Sequence, residues 1–342
     1  MKQISVKAPF QYNIEEVECP NPSKGEVLIK MKAAGVCGSD FHLFLGENPM
    51  AQFPRIPGHE NAGIIEEVGD GVTKVKKGDH VVVDLVVACG TCKQCKSGRR
   101  NVCKTVKARG AAVDGGWREY FVAAEHEVYL LPKDMPFEEA ALIEPFAIGG
   151  HCTKRAGVQK SDVVLVLGMG TIGTIILQVC KEKGCTVICA DIKDNFLKRA
   201  QDFGADFIIN TKTENLYDRI QEYTDGDGAD VIFDAAGYPG SLTMLLQKGI
   251  PANGARIVPL GFCTSEENIT QSMINGRELS IIGTRMSSGQ FEPTIEKFKR
   301  RAYQLNGLVS DIISISDIDR VFRNMQNPPE DMAKMVILFG EL

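Results

Sequence analysis

The sequence predicts an α/β protein with two domains: a barrel-like domain of short strands and a doubly wound parallel sheet. A chain of 342 residues, 44% of them hydrophobic, is long enough to form two hydrophobic cores. Glycine-punctuated strands extend from Lys24 to about Lys133. Strands that alternate with helices follow from about Phe146, which is the pattern of a parallel sheet with right-handed crossovers.

The first stretch consists of short strands separated by turns. Strand patterns occur at Val27–Met31, Ala62–Val68 and His80–Val83. Between them, Gly69–Gly71 and Lys77–Asp79 carry the glycine and aspartate residues that are typical of tight turns. Short strands joined in this way indicate a β-barrel-like domain.

The second stretch begins with a continuous apolar strand at Val163–Leu167, followed by apolar residues at helical spacing from Ile172 to Val179. Further strand patterns bring the total to six, which completes a doubly wound sheet. These strands are predicted at Thr186–Ala190, Phe207–Ile209, Val231–Phe233, Arg256–Leu260 and Leu279–Ile282.

Two elements near the C-terminus are not needed by this sheet. They are a helical pattern over Pro293–Gln304 and a strand pattern at Lys334–Leu338. We expect both to return to the first domain.

A glycine motif joins the first strand and helix of the second domain. Gly168–Gly173 reads GMGTIG, and the acidic residue Asp191 ends the next strand eighteen residues after the last glycine. Glycines there let a pyrophosphate approach the helix N-terminus, where unpaired N–H groups favour negative charge. The predicted cofactor-binding residues of this Rossmann-type site are Gly168, Gly170, Thr171, Ile172, Gly173 and Asp191.

Asp191 also predicts which cofactor binds. Its carboxylate would accept hydrogen bonds from the adenosine ribose, and its charge would repel a 2′-phosphate, so we expect NAD rather than NADP. Lys193 is the competing signal, because a cation at that position could assist a 2′-phosphate. A lysine in a solvated loop is the simpler interpretation of Lys193.

Composition excludes several other classes of protein. The net charge of −5 comes from acidic and basic residues interleaved along the chain, so no basic face for nucleic acid is expected. The first residues, Met1–Ser5, resemble a strand and carry neither a targeting signal nor a membrane-spanning run. We expect a cytoplasmic protein with reduced cysteines and no membrane partner.

Four of the eleven cysteines lie close together in the loop Cys89–Cys103, with the spacing C-x2-C-x2-C-x7-C. Four thiolates so spaced can surround Zn²⁺ tetrahedrally and leave no open position, as structural zinc sites do. An iron–sulfur cluster is the competing interpretation, which nothing else in the sequence supports. The predicted ligands are Cys89, Cys92, Cys95 and Cys103.

A second set of metal ligands is dispersed along the chain. Cys37 lies in the segment GVCGSDFH, His59 and Glu60 lie in GHE, and Glu144 precedes a proline. Mixed sulfur, nitrogen and oxygen ligands suit a catalytic zinc that keeps a position for water or substrate. The sequence does not decide whether Glu60 or Glu144 is the inner ligand.

These motifs together resemble the zinc-containing medium-chain alcohol dehydrogenases. The resemblance rests on Gly58–Gly63 with the glycines that follow, on GVCGSDFH, on the cysteine loop, on Asp114–Trp117 and on Glu144-Pro145, all in the family's order. Two acidic residues, Glu60 and Glu144, make the chain similar to the sorbitol, threonine and sugar-acid dehydrogenase branch.

The resemblance implies a GroES-like catalytic domain from residues 1–146 and 283–342, with a structural zinc loop at about 89–103. It also implies a Rossmann NAD-binding domain from residues 147–282, two zinc ions per subunit, and a homodimer or homotetramer.

The resemblance further suggests roles in proton transfer and substrate binding. Zinc lowers the pKa of the alcohol, and Ser39 can pass the proton through the nicotinamide ribose to His42. In polyol-type relatives a metal-bound water and the second glutamate, Glu144 here, share this relay. Arg285 lies where such relatives place substrate contacts and would hold a carboxylate, and Trp117 is a further candidate substrate residue.

Three functions fit the sequence. The first is oxidation of a secondary alcohol in a small polyol or sugar acid, which the ligand set favours. The second is an L-threonine 3-dehydrogenase, which shares nearly every motif. The third is a non-catalytic zinc- and nucleotide-binding regulatory protein, which the complete ligand set argues against.

Overall fold

A computed structural model describes residues 1–48 and 51–340 of the chain. The chain divides into two compact units. The first unit comprises Met1–Ala147, Ser288–Arg301 and Val309–Leu342, and the second comprises Ile148–Ser287 and Ala302–Leu308.

The N-terminal part of the first unit consists mainly of strands. Several of them are buried along continuous runs, as at Ile4–Val6, Val27–Ile29 and Glu60–Gly63. The strands are β1 (Lys2–Ala8), β2 (Gln11–Glu16), β3 (Glu26–Val36), β4 (Glu60–Val68), β5 (His80–Val83), β6 (Val86–Val87), β7 (Lys107–Ala108), β8 (Tyr120–Ala124) and β9 (Val128–Leu130). The helices are α1 (Gly38–Leu45), α2 (Lys93–Lys96) and α3 (Phe137–Ala140), and short 3₁₀ turns occupy Arg100–Val102 and Glu125–Glu127. Helix α4 (Ile143–Arg155) begins in the first unit and continues into the second from Ile148.

The second unit is built on a parallel sheet with buried apolar strands. Its strands are β10 (Val163–Leu167), β11 (Thr186–Asp191), β12 (Phe207–Asn210), β13 (Ala229–Asp234), β14 (Pro251–Pro259) and β15 (Ser280–Ile281). The spatial order β12-β11-β10-β13-β14-β15 is that of a doubly wound sheet. The helices between the strands are α5 (Thr171–Lys183), α6 (Asp194–Asp202), α7 (Leu216–Tyr223), α8 (Ser241–Leu245) and α9 (Gln271–Asn275).

The C-terminal elements are α10 (Phe291–Lys299), β16 (Val309–Ser314), a 3₁₀ turn at Ile315–Asp317, α11 (Ile318–Gln326) and β17 (Lys334–Leu338). β17 pairs antiparallel with β3, so the end of the chain completes the main sheet of the first unit. That sheet runs β16-β17-β3-β4-β5-β9, with β8 also paired to β3. The α/β fold class is therefore confirmed.

Two predicted segments differ from the structure near residue 300. The predicted helix Pro293–Gln304 ends at Lys299, because Arg301 adopts a φ of 51°, which a right-handed helix does not allow. The segment Ala302–Leu308, assigned from the sequence to the first domain, belongs to the second unit. There the backbone N–H of Gln304 donates to Gln178 Oε1 on α5 at 2.8 Å. The functional roles of the two domains stay a prediction.

Candidate functional site

The dispersed candidate ligands Cys37, His59 and Glu60 meet at one end of the β3–β4 pair. Cys37 directly follows β3 and precedes α1, while His59 and Glu60 begin β4. β3 and β4 are antiparallel, with Gly35 opposite Glu60. The sulfur, one imidazole nitrogen and one carboxylate oxygen all lie within 4.8 Å of one another.

Glu144 lies in the first turn of α4 with its side chain buried, and its charge interacts with those of Cys37, His59 and Glu60. Burial raises the pKa of its carboxyl well above the usual range; the charge of His59 lowers it, and the charges of Glu60 and Cys37 raise it further. The structure thus brings the four predicted residues together. In the described part of the chain, the compact ligand group contains Glu60 and not Glu144.

Cys37 and His59 form a charge pair. Burial favours the neutral thiol, but the positive charge of His59 lowers the pKa of Cys37 below its usual value. Burial also opposes protonation of His59, yet the charges of Cys37, Asp40 and Glu144 raise its pKa well above the usual range. His59 thus favours the thiolate form of Cys37 relative to an isolated cysteine, and thiolate is the form that binds a metal.

Asp40 is a site residue that the sequence analysis did not assign. It is buried, and its Oδ2 accepts the backbone N–H of Cys37 at 2.9 Å. Its Oδ1 accepts the N–H of Gly58 at 3.2 Å and lies 3.8 Å from His59 Nδ1. At this distance the carboxylate attracts the ring by its charge rather than through a hydrogen bond. Its position three residues after Cys37 was the signal in the sequence.

Lys334 is the second residue that the sequence analysis missed. It begins β17, and its buried ammonium pairs with Glu60 Oε1 and donates to the carbonyl of Val36 at 3.0 Å. The other oxygen, Glu60 Oε2, is buried and has no hydrogen-bond partner among the described residues. A buried carboxylate oxygen without a donor, on a residue grouped with a cysteine and a histidine, fits a zinc ion as its missing partner.

The four-cysteine loop forms a closed cluster. Neighbouring sulfur pairs are separated by 3.4 Å (Cys89–Cys103), 3.5 Å (Cys92–Cys95), 3.8 Å (Cys92–Cys103) and 4.0 Å (Cys89–Cys95). A tetrahedral zinc with Zn–S bonds of about 2.3 Å requires S–S separations of about 3.8 Å. The cysteine positions therefore fit a structural zinc.

Local structure holds this loop in shape. Cys92 precedes α2, and Cys103 follows the 3₁₀ turn Arg100–Val102. The Arg100 guanidinium donates to the carbonyls of His126 at 3.1 Å and Val86 at 3.2 Å. Backbone N–H groups of Thr91 and Cys92 lower the pKa of Cys89 to about 5, which favours the thiolate.

The glycine motif of the second unit has the geometry of a dinucleotide turn. Gly168 has a φ of 90°, and a Cβ there would lie 2.7 Å from the nitrogen of Ala236. A Cβ on Gly173 would lie 1.9 Å from the carbonyl oxygen of Gly168, so the helix packs closely on the strand. Gly170 precedes α5, and no described atom lies within 4 Å of its would-be Cβ. Thr171 and Ile172 form the first residues of α5, beside this open space.

Asp191 ends β11 next to this turn. Its Oδ2 accepts the N–H of Met169 at 2.6 Å, and its Oδ1 accepts the N–H of Lys193 at 3.0 Å. Each carboxylate oxygen can accept a second hydrogen bond, so both remain able to bind ribose hydroxyls. The predicted cofactor-binding residues thus converge within the second unit.

Ser39 and His42 lie one turn apart on α1, and both side chains are exposed. His42 Nδ1 lies 2.8 Å from Glu47 Oε2, so a carboxylate orients the ring. This placement is compatible with proton exchange with solvent.

The two predicted substrate residues have different outcomes. Trp117 is fully buried in the core of the first unit, where its ring packs on Gly58. It also packs edge-on against Phe322, with 6.0 Å between the ring centroids. The prediction that it contacts substrate is wrong, because the indole fills the space that the bare Gly58 leaves. Arg285 is exposed in the second unit, and its role stays a prediction.

Comparison with known families identifies the class of protein. Residues 23–133 match the alcohol dehydrogenase GroES-like domain, and residues 171–300 match the zinc-binding dehydrogenase domain. The chain is 36% identical to the starvation-sensing protein RspB of Escherichia coli (strain K12) over the whole of both chains. It is 33% identical to a sorbitol dehydrogenase of Halalkalibacterium halodurans, over 92% of this chain and 93% of the other.

A solved structure agrees with these matches. The RspB alcohol dehydrogenase from E. coli CFT073, complexed with NADH, superposes with a TM-score of 0.94 at 35% identity, covering 99% of each chain. The chain belongs to the zinc-type medium-chain alcohol dehydrogenase family, whose members are oxidoreductases that act on CH–OH donors. Within residues 1–48 and 51–340, no helix is long and apolar enough to cross a membrane.

Proposed function

We propose that this chain is a zinc- and NAD-dependent dehydrogenase that oxidises a secondary alcohol of a small polyol or sugar acid. The observation that carries the proposal is the convergence of Cys37, His59 and Glu60, with one buried Glu60 oxygen that lacks a donor among the described residues. A three-ligand set leaves a fourth position for the substrate oxygen, as catalytic zinc sites require.

Cys37, His59 and Glu60 would hold the catalytic zinc, with Glu144 beside them. When bound, the zinc acts as a Lewis acid toward the substrate oxygen. Asp40 attracts the charge of His59 from 3.8 Å, and it fixes the Cys37 backbone through a 2.9 Å hydrogen bond. Glu60 is the better candidate for the inner ligand because it belongs to the compact group.

The other residues would handle protons and cofactor. Ser39 and His42, one turn apart on α1, would carry the alcohol proton toward solvent. Asp191, held by two backbone N–H groups, would bind the ribose hydroxyls of NAD and disfavour a 2′-phosphate. The four cysteines would hold a structural zinc. A homodimer or homotetramer and a cytoplasmic location stay predictions.

The substrate class can be tested with zinc-loaded protein by following NAD reduction over a panel of polyols, aldonates and L-threonine. We expect turnover on a polyol or an aldonate. Turnover confined to threonine would favour the threonine dehydrogenase, and no turnover on any secondary alcohol would favour the non-catalytic alternative.

The same panel tests Arg285. A guanidinium that pairs with a carboxylate contributes about 1.5–3 kcal/mol, so Arg285→Ala should lower kcat/KM on an aldonate by about tenfold or more. The polyol of matching stereochemistry is the control and should be unaffected. Equal losses on both substrates would make Arg285 structural and remove the residue-level support for a sugar acid.

A further inference from the structure

Lys334 is remote in sequence from the candidate ligands, but its ammonium contacts the Glu60 carboxylate and the backbone next to Cys37. Its Nζ pairs with Glu60 Oε1 and donates to the carbonyl of Val36, the residue immediately before Cys37. The lysine is only 2% exposed, and a buried lysine is retained only where its charge is paired.

The Glu60 carboxylate also lies against the backbone of Gly35, which has no side chain. Gly35 lies opposite Glu60 in the β3–β4 pair, and a Cβ on Gly35 would lie 1.8 Å from Glu60 Oε2. A glycine at this position leaves room for Oε2, while Lys334 engages Oε1. The two oxygens of one carboxylate therefore have different environments.

The charges around the cluster give a reason for this arrangement. Cys37, Glu60 and Glu144 are potential anions within one buried region, and Asp40 adds a fourth. A divalent ion with two anionic ligands leaves the further carboxylates uncompensated. Lys334 supplies the additional positive charge and directs it to Glu60 rather than to Glu144.

We propose that Lys334 is a positioning residue for the catalytic metal: it occupies Glu60 Oε1, so that Glu60 offers Oε2 alone as a single-oxygen ligand and holds the inner position ahead of Glu144. The inference rests on the proposed function, because it assumes a metal at Cys37, His59 and Glu60. Through Val36, the same ammonium also fixes the backbone that presents Cys37.

The test measures zinc affinity by chelator competition, without substrate, in wild type, Lys334→Met, Glu60→Gln and the double variant. His59→Ala reports the four-cysteine site alone. Partners of metal ligands typically contribute 10- to 100-fold in affinity, so Lys334→Met should weaken zinc binding at the catalytic site by about that factor. Lys334→Arg, which keeps the charge, should restore part of it.

The double variant separates positioning from a general structural role. If Lys334 acts through Glu60, Lys334→Met should cause little further loss of affinity in the Glu60→Gln background. The double variant also removes both charges of the buried pair, so the proposal can still be tested if Lys334→Met alone folds poorly. An equal loss in both backgrounds would overturn the inference.

Cobalt substitution gives a second readout. The visible absorption of Co²⁺ reports the number and type of its ligands, and we expect Lys334→Met to change the band positions, whereas a merely destabilised protein keeps the wild-type spectrum. An unchanged spectrum with unchanged affinity would disprove the role of Lys334 and leave the proposed function intact. Equal zinc content in wild type and His59→Ala would instead disprove the proposed function.

Discussion

Asp191 is positioned before any cofactor arrives, because each of its carboxylate oxygens already accepts a backbone N–H group. The acid therefore cannot easily swing away from a 2′-phosphate. Lys193, the competing signal, has its ammonium 4.8 Å from the centre of the Phe196 ring, where a cation–π contact holds it. We therefore expect discrimination between NAD and NADP at this position to depend mainly on the fixed charge of Asp191.

Replacing Asp191 with Ser should narrow the preference for NAD over NADP. Like charges about 4 Å apart repel by about 4 kcal/mol near a protein surface. We therefore expect the ratio of kcat/KM for NAD to that for NADP to fall by about tenfold or more. The measurement is kcat/KM for each cofactor. Asp194→Asn, which removes a nearby acid at the start of α6, is the control and should change the ratio little. A wild type that prefers NADP would overturn the interpretation and direct attention to Lys193.

For individual residues, the residue type determined which members of the site could be predicted from the sequence. Cysteine, histidine and glutamate in short motifs indicated the ligands, because those side chains bind zinc. Asp40 and Lys334 were missed because their roles depend on contacts rather than on residue type. Lys334 lies 274 residues from Glu60 in sequence, and a lysine at the start of a strand normally lies in solvent. Trp117 was misassigned because a tryptophan in a motif gives no sign of burial.

Among the elements, those with continuous apolar runs were predicted best. The predicted bounds of His80–Val83, Val163–Leu167 and Lys334–Leu338 match β5, β10 and β17. The predicted bounds were wrong where the end of a helix or strand is set by backbone geometry or by strand pairing. β14 begins at Pro251 rather than Arg256, and β15 pairs over only two residues. Neither the partner strand nor its register is visible in a local pattern.

The four-cysteine loop is the element whose stability should depend most on metal. Its regular structure is limited to the short helix α2 and one 3₁₀ turn, and its four thiols lie together. Cys92→Ser should lower thermal stability before it affects the chemical step, because metal binding energy is folding energy in such loops. A loss of about 2 kcal/mol corresponds to a Tm lower by about 4–8 °C for a domain of this size.

The matched control for this prediction is Cys19→Ser, which removes an exposed cysteine outside the loop. It should leave Tm unchanged. Metal analysis that finds a single zinc per subunit in fully active wild-type protein would contradict the structural role of the loop.

For the whole molecule, the two units carry different sets of predicted functional residues. Cys37, His59, Glu60, Glu144 and the four-cysteine loop all lie in the first unit, and the glycine motif with Asp191 lies in the second. The main sheet of the first unit brings Cys37, Glu60 and Lys334 together from distant segments, because β4 and β17 both pair antiparallel with β3. The parallel sheet of the second unit places the glycine turn at the carboxyl end of β10.

This division predicts that zinc chemistry and cofactor binding can be separated by one substitution. His59→Ala removes a ligand of the first unit and leaves every predicted cofactor contact of the second unit in place. Lewis-acid stabilisation contributes several kcal/mol, so turnover should fall by about 1,000-fold or more. NAD affinity, measured by calorimetry, should stay at the wild-type value, and metal analysis should find one zinc where wild type has two.

His126→Ala, at an exposed histidine of the same unit, should leave turnover and zinc content unchanged. Turnover that survives in His59→Ala after its zinc is lost would mean that the reaction does not use this metal, and the proposed mechanism would be wrong.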